Sequence, residues 1–154
     1  TEAHFSRCGL RPADAILIAA DLEFNATVER IDLFENNIGA EGGKALASAL
    51  LEGSAVLTKL VLTHNKIEDE GAIALGEALK TNKTLKELEL GFCGIGPEGG
   101  KALAAALSEG SAVLTKLDVQ QNELGDEGKK ALQNAAKGRK GFNLILHYAF
   151  GIQA

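Results

Sequence analysis

The stretch from Gly94 to Gly99 matches the pattern G-x-G-x-x-G, which in dinucleotide-binding proteins joins a strand to a helix and holds a pyrophosphate. Lys101 follows it, but the next residue is Ala102, whereas a phosphate loop requires Ser or Thr after the lysine. A dinucleotide site also requires an acidic residue about 20 residues further on, where the chain reads LTKL from Leu114. The last glycine of the motif has three counterparts, Gly42, Gly71 and Gly128. We therefore interpret the stretch as a repeated turn.

Histidine and cysteine side chains are the other candidates for metal binding or nucleophilic catalysis. The three histidines, His4, His64 and His147, are far apart in sequence, and no pair of them has the spacing of metal ligands. The sequence also offers no nucleophile accompanied by a base and an orienting group. It therefore predicts no metal site, no cofactor and no catalytic residue, which favours a binding protein over an enzyme.

Two segments of the chain are nearly identical. Residues 41–60 and 98–117 agree at 18 of 20 positions and lie 57 residues apart. A fixed internal period predicts a stack of equivalent units whose shared surface carries the function. The period divides again into four matching segments, which begin at Ile31, Leu60, Leu88 and Leu117.

Each segment follows the frame L-x-L-x-x-N/C-x-I/L-x-x-E-G, with another apolar residue three positions upstream. This frame resembles the leucine-rich repeat, and the alternation of 28 and 29 residues resembles the ribonuclease-inhibitor type of that repeat. The Asn or Cys of the frame is expected to turn inward after each strand and satisfy backbone groups there, so that these residues form a ladder. The ladder residues are Cys8, Asn36, Asn65, Cys93 and Asn122.

Alternating apolar and variable residues in the frame predict short strands with one buried face. Between the strands, Ala and Leu recur at helical spacing, and a glutamate stands where each helix dipole is positive. Parallel strands that are joined by helices make right-handed crossovers. The predicted fold class is therefore α/β: a right-handed leucine-rich-repeat solenoid in a horseshoe arc, with a parallel β-sheet on the concave face and α-helices on the convex face. The glutamates are Glu41, Glu70, Glu98 and Glu127.

The ends of the chain extend the repeat in both directions. Cys8-Gly-Leu-Arg-Pro copies the stretch 93–97, so residues 1–27 are expected to be a truncated first repeat. Full repeats are expected to begin near residues 28, 57, 85 and 114, and residues 142–154 to form a terminal strand and an apolar tail. We therefore expect residues 1–154 to form a single leucine-rich-repeat domain. We also expect this domain to be a piece of a longer solenoid, so that further repeats of the parent chain are among its partners.

Composition limits the partners. A chain of 154 residues buries about 68–70 % of its unfolded surface, so a core is available. The net charge of −5 argues against nucleic acid or an anionic membrane as the main partner, and no apolar run reaches the ~20 residues of a membrane span. Cys8 and Cys93 lie three repeats apart, about 15 Å along the sheet, which is too far for a disulfide. Free cysteines favour a reducing, cytoplasmic location.

The outward positions of the predicted strands are free of the demands of the repeat, so specificity for a partner is expected there. Lys59 lies beside Glu87, and Glu87 beside Lys116, which favours cross-strand ion pairs of about 0.2–1 kcal/mol each. Phe34 and Phe92 are typical of interface anchors, although single exposed phenylalanines also occur on monomers. The predicted partner-binding residues of the concave face are Arg30, Asp32, Phe34, Glu35, Lys59, Val61, Thr63, His64, Glu87, Glu89, Phe92, Lys116, Asp118 and Gln120.

The resemblance implies a non-catalytic scaffold that binds a protein partner over its concave face. An extended face without a deep pocket also suits a protein better than a metabolite. Three alternatives remain open. Similar repeats occur in GTPase-activating proteins for Ran and in the sensor regions of NOD-like receptors, and a stack of repeats can also serve as a structural segment that associates end to end.

Overall fold

The computed structural model describes residues 1–52, 56–109 and 113–147 of the chain, and the predicted apolar tail at 148–154 lies outside them. In the described ranges, short strands alternate with longer helices. The strands are β1 (Glu2–His4), β2 (Arg30–Asp32), β3 (Lys59–Val61), β4 (Glu87–Glu89), β5 (Lys116–Asp118) and β6 (Asn143–Ile145). The helices are α1 (Pro12–Leu22), α2 (Gly39–Glu52), α3 (Glu68–Thr81), α4 (Pro97–Glu109) and α5 (Gly125–Lys137).

The described strands form one parallel sheet in sequence order, from β1 to β6. The register brings equivalent positions of successive repeats side by side, because Leu60 pairs with Leu88 and Leu88 with Leu117. Each helix between two strands supplies the crossover that a parallel pair requires. The α/β solenoid predicted from the frame is confirmed, and the last strand is shorter than residues 142–147.

The core lies between the sheet and the helices. The leucines of the frame, such as Leu88 and Leu90, are fully buried, together with the alanine and leucine positions on the inner side of each helix. Helices of neighbouring repeats pack closely, since a Cβ atom at Gly76 of α3 would lie 2.9 Å from the carbonyl oxygen of Ala102 in α4. Small residues on the helices are therefore needed by the stacking itself.

The helices begin where the acidic residues of the repeat predict. A glutamate stands in the first turn of α2, α3, α4 and α5, and α4 begins at Pro97. Lys44 bridges Glu41 and Glu70 at 3.0 and 2.8 Å, and so links the N-terminal turns of α2 and α3. None of the helices in the described part of the chain is long and apolar enough to cross a membrane.

Candidate functional site

The turn that follows each strand holds a residue with an uncommon backbone conformation. It has a positive φ between 52° and 62° in five successive repeats, although it is never glycine. This left-handed conformation turns the chain sharply, so the side chain at this position and the ladder residue after it take different directions. The residues are Arg7, Glu35, His64, Phe92 and Gln121. Sequence reasoning missed this geometry because the position carries no Gly or Asn signal.

The ladder residue after the turn faces inward. The Asn65 side chain is fully buried, and its Nδ2 donates to the carbonyl oxygens of Leu33 and Leu62 at 2.7 and 3.0 Å. Its Oδ1 accepts from the backbone N–H of Ile38 at 3.2 Å. Asn36 and Asn122 bond their own and the preceding repeat in the same way. Each amide therefore joins two repeats through their backbones.

Cysteine occupies two positions of the ladder. The Cys93 Sγ donates to the carbonyl oxygen of Leu62 at 3.1 Å, and burial raises the pKa of this thiol to about 11. Cys93 is thus a buried structural thiol that stays protonated at neutral pH. Cys8 differs, because its side chain is exposed and its Sγ contacts the Ser6 carbonyl oxygen at 3.5 Å. Both are free thiols.

The centre of the concave sheet carries a network of four charged side chains. The Lys59 Nζ lies 2.8 Å from a carboxylate oxygen of Glu87 and 2.8 Å from one of Glu89. The Lys116 Nζ lies 3.0 Å from Glu89 and 4.0 Å from Glu87. Burial opposes the ionisation of Glu89, but the hydrogen bonds from both lysines outweigh it and hold the pKa of this carboxyl below its usual value. Two positive and two negative charges thus neutralise each other on the sheet.

Two of the predicted contact residues are much less accessible than expected. The relative solvent-accessible surface of Val61 is only 5 %, and that of Asp118 is only 6 %. The Gln120 side chain covers Asp118 by donating its Nε2 to Oδ2 at 2.9 Å, and Val61 lies in register between Asp32 and Glu89. Burial raises the pKa of Asp118, and the neighbouring Glu89 carboxylate adds to this shift. These two positions are thus a poor source of contact area for a partner.

Three ring side chains form a row along the edge of the sheet where the strands end. The imidazole of His64 stacks on the Phe92 ring with 4.3 Å between centroids, and the Phe34 ring meets the imidazole edge-on at 5.6 Å. Phe92 keeps 37 % of its surface exposed, His64 is exposed, and Phe34 is half-buried. We refer to Phe34, His64 and Phe92 as the aromatic row.

A charged pair closes the first end of the aromatic row. The Arg7 guanidinium carbon lies 5.5 Å from the centroid of the Phe34 ring, which is the range of a cation–π contact. The Arg7 Nε also donates to the Glu35 carboxylate at 2.6 Å. The sequence singled out the two phenylalanines and His64 separately. It did not indicate that they touch, nor that Arg7 belongs with them.

The other predicted contact residues lie on the same face with ordinary partners. Arg30 and Asp32 form an ion pair at 3.7 Å on β2, and both are half-buried, as are Thr63 and Gln120. The three histidines are not brought together, and His4 pairs instead with Glu2 at 3.0 Å. In the part of the chain that the structure describes, no group of three or more His, Cys, Asp or Glu residues is arranged to hold a metal ion.

Comparison with known proteins identifies the class of this fold. The family model described as "Leucine Rich repeat" matches residues 24–47, 53–76, 81–104 and 110–132, which is more than half of the chain. The chain therefore belongs to the leucine-rich-repeat family. Among curated proteins, none matches it in sequence.

A solved structure shares the architecture. It is titled "Leiomodin-1 Actin-Binding Site 2 (ABS2)", and it aligns with a TM-score of 0.71 at 18 % sequence identity. The alignment covers 88 % of this chain and 78 % of that chain. At this identity the likeness establishes the solenoid fold. Assignment to the ribonuclease-inhibitor type remains a prediction from repeat length.

Proposed function

We propose that this chain is a protein-binding scaffold and that the aromatic row, with the concave sheet beside it, contacts the partner. The observation that carries the proposal is the row itself, in which His64 contacts both Phe34 and Phe92 beside a sheet whose exposed side chains are mostly charged. Large rings bring much contact area with few rotatable bonds, so they are enriched in protein interfaces. The leiomodin structure of the same fold is titled as an actin-binding site, which supports a protein as the partner class.

The charged network on the sheet supports placing the partner contact on the aromatic row. Lys59, Lys116, Glu87 and Glu89 already satisfy one another, so a partner gains little by displacing those pairs. The row, in contrast, exposes apolar ring surface to solvent, and Phe92 keeps 37 % of its surface accessible. The sheet then supplies a polar rim, and the row supplies the anchor.

The test is affinity capture from native cell extract with the intact chain and with the double variant Phe34→Ala/Phe92→Ala. Phe24→Ala is the matched control, because Phe24 is 85 % exposed just after helix α1 and lies outside the row. Proteins that the parent and Phe24→Ala recover, and that the double variant loses, support the proposal. Equal recovery by all three chains contradicts it.

Stability must be checked beside binding. Phe34 and Phe92 lie at the surface, so we expect the double variant to lose about 1–2 kcal/mol at most and to keep a cooperative thermal transition. Circular dichroism at the capture temperature confirms that the variant is folded. If the double variant is folded and no longer recovers a protein that the parent recovers, that protein contacts the row.

A further inference from the structure

The side of helix α1 that is turned away from α2 borders an apolar groove. Phe5, which follows strand β1, and Leu17 and Ile18 of α1 are among its lining residues, and the groove has a volume of about 420 Å³. Leu17 is 70 % exposed. The equivalents of Ile18 in the next four repeats are fully buried leucines: Leu46, Leu75, Leu103 and Leu132. The groove therefore leaves accessible a core position that the stack covers in the other described repeats.

Neighbouring helices of the stack meet at one pair of facing positions, which hold only Gly or Ala. A Cβ atom added to a glycine of each pair would lie between 2.9 and 3.4 Å from the Cα or Cβ atom of the facing residue. Such close approach requires small residues on both helices. The pairs are Ala15 with Gly42, Gly43 with Gly71, Ala72 with Gly99, and Gly100 with Gly128.

At the two ends of the described stack, the same series of positions holds opposite charges. Lys129 of α5 is the equivalent of Gly100, on the side that would face a following helix. Asp14 of α1 is the equivalent of Gly42, on the side that would face a preceding helix. Lys129 has no ion-pair partner among the described residues, whereas the equivalents of its neighbour Lys130 bridge to the next helix. If α5 of one copy lay against α1 of another, Lys129 would meet Asp14.

The same enlargement occurs one helical turn further on. Within the stack, a Cβ atom at Gly76 of α3 would lie 2.9 Å from the carbonyl oxygen of Ala102 in α4. The equivalents of these two residues at the ends are Gln133 on α5 and Leu17 on α1. A helix with Gly and Ala at these positions would leave the Asp14 carboxylate without a cation and Leu17 without a close neighbour. The longer side chains of α5 supply both, at a wider helix spacing.

The whole helices show the same complementarity. Helix α1 contains two aspartates, Asp14 and Asp21, and no basic residue, and Asp21 lines the apolar groove. Helix α5 contains three lysines, and one of its two acidic residues, Glu127, already pairs with Lys101. Charge therefore favours α5 over the less basic helices of the chain as the neighbour of α1.

We propose that the exposed side of α1 binds the last repeat of a second copy of this chain, head to tail. Helix α5 of one copy lies against α1 of the next, Lys129 pairs with Asp14, and apolar contact closes the groove around Leu17. This inference goes beyond the proposed function and uses a surface other than the aromatic row. A head-to-tail contact joins two different surfaces, so repetition of it gives an open filament or a closed ring.

The experiment is sedimentation velocity of the intact chain over a wide range of concentrations, at low and at high salt. We expect the average sedimentation coefficient of the parent to rise with concentration. The rise should be smaller at high salt, because salt screens the pairing of Asp14 with Lys129. A parent that sediments as a monomer at every concentration overturns the inference.

Two charge reversals test the pairing itself. Asp14→Lys places two lysines opposite each other, and Lys129→Asp places two aspartates opposite each other. Each variant alone should therefore associate about tenfold more weakly than the parent. An equal mixture of the two should regain the association of the parent, because each end of one variant then meets the opposite charge on the other. A mixture that associates no better than the single variants contradicts the pairing.

The matched control is Glu77→Lys, since Glu77 is exposed on α3 in the middle of the stack and its reversal should leave association unchanged. An equal loss of association in this control overturns the assignment to α1 and α5. Because the Asp14 Oδ2 accepts from the Arg11 N–H at 2.8 Å, circular dichroism must show that Asp14→Lys is folded. If it is not, Leu17→Glu takes its place, and a folded Leu17→Glu that associates like the parent overturns the inference.

Discussion

The ladder and the aromatic row run side by side along the same turns, and their members are neighbours in sequence. His64 precedes Asn65, and Phe92 precedes Cys93. One member of each pair is exposed and belongs to a surface that varies between repeats, whereas the other is buried and bonds to the backbone. At the boundary between the two environments stands a left-handed residue, with φ of 62° at His64 and 52° at Phe92.

The two neighbouring positions of each turn are under different structural constraints. The ladder position holds Asn or Cys in every repeat, and the buried Asn65 amide bonds backbone groups of two repeats. The preceding position holds Arg, Glu, His, Phe and Gln in turn, because its side chain does not have to bond the backbone of two repeats. The ladder column therefore joins neighbouring repeats, whereas the column before it presents a different side chain in each repeat.

The largest expected effect is that of Asn65→Ala. The change leaves two carbonyl oxygens and one N–H without their buried partner, and we expect it to lower the free energy of unfolding by about 3–5 kcal/mol. Chemical denaturation of the parent and the variant measures this loss. Asn65→Cys, which copies the Cys93 position, should cost clearly less.

The neighbouring residue supplies the control for that experiment. His64→Ala should cost about 1 kcal/mol or less, because it removes two exposed ring contacts and no backbone bond. If the two alanine variants were equally destabilised, the division between ladder and row would be wrong.

A second prediction concerns the leucines beneath the sheet. Leu88 is fully buried, so Leu88→Ala should lower the free energy of unfolding by about 2–5 kcal/mol through lost burial and a cavity. Its effect on the proteins recovered by affinity capture should be small, provided that the variant is used well below its unfolding temperature. A loss under about 1 kcal/mol would contradict the burial of this position.

The smallest expected effects come from the charged centre of the sheet, and they have opposite signs. The pKa of Glu89 is lowered from 4.5, so its ionised form stabilises the fold at neutral pH, and this contribution is lost as the pH falls below 4.5. The pKa of Asp118 is raised from 3.8, so its ionised form destabilises the fold at neutral pH, and this cost is absent below 3.8.

Thermal unfolding between about pH 3 and pH 7 separates the two carboxyls. At pH 7, Glu89→Gln should lower stability by about 1 kcal/mol and Asp118→Asn should raise it by a similar amount or less. Both differences should shrink as the pH approaches 3. Loss of stability in Asp118→Asn at pH 7 would show that the bonds to Gln120 outweigh the cost of burying the charge.

The fold could be predicted in detail from the sequence because the same pattern of residues recurs in each repeat. The strands β2 to β5 and the helix starts follow from the frame, since alternating leucines and a first-turn glutamate act locally. Where only one copy of the signal existed, at the last strand, the predicted range 142–147 was longer than the observed Asn143–Ile145.

From the sequence, the candidate site could be predicted only as sets of equivalent strand positions in successive repeats. The sequence alone determined which positions face outward and that Phe34, His64 and Phe92 lie among them. The tertiary structure decided that His64 contacts both phenylalanine rings, that Arg7 lies over Phe34, and that Asp118 is covered. Backbone periodicity is a local property that each repeat encodes by itself, whereas contacts between side chains depend on how three or four repeats stack, which no single repeat specifies.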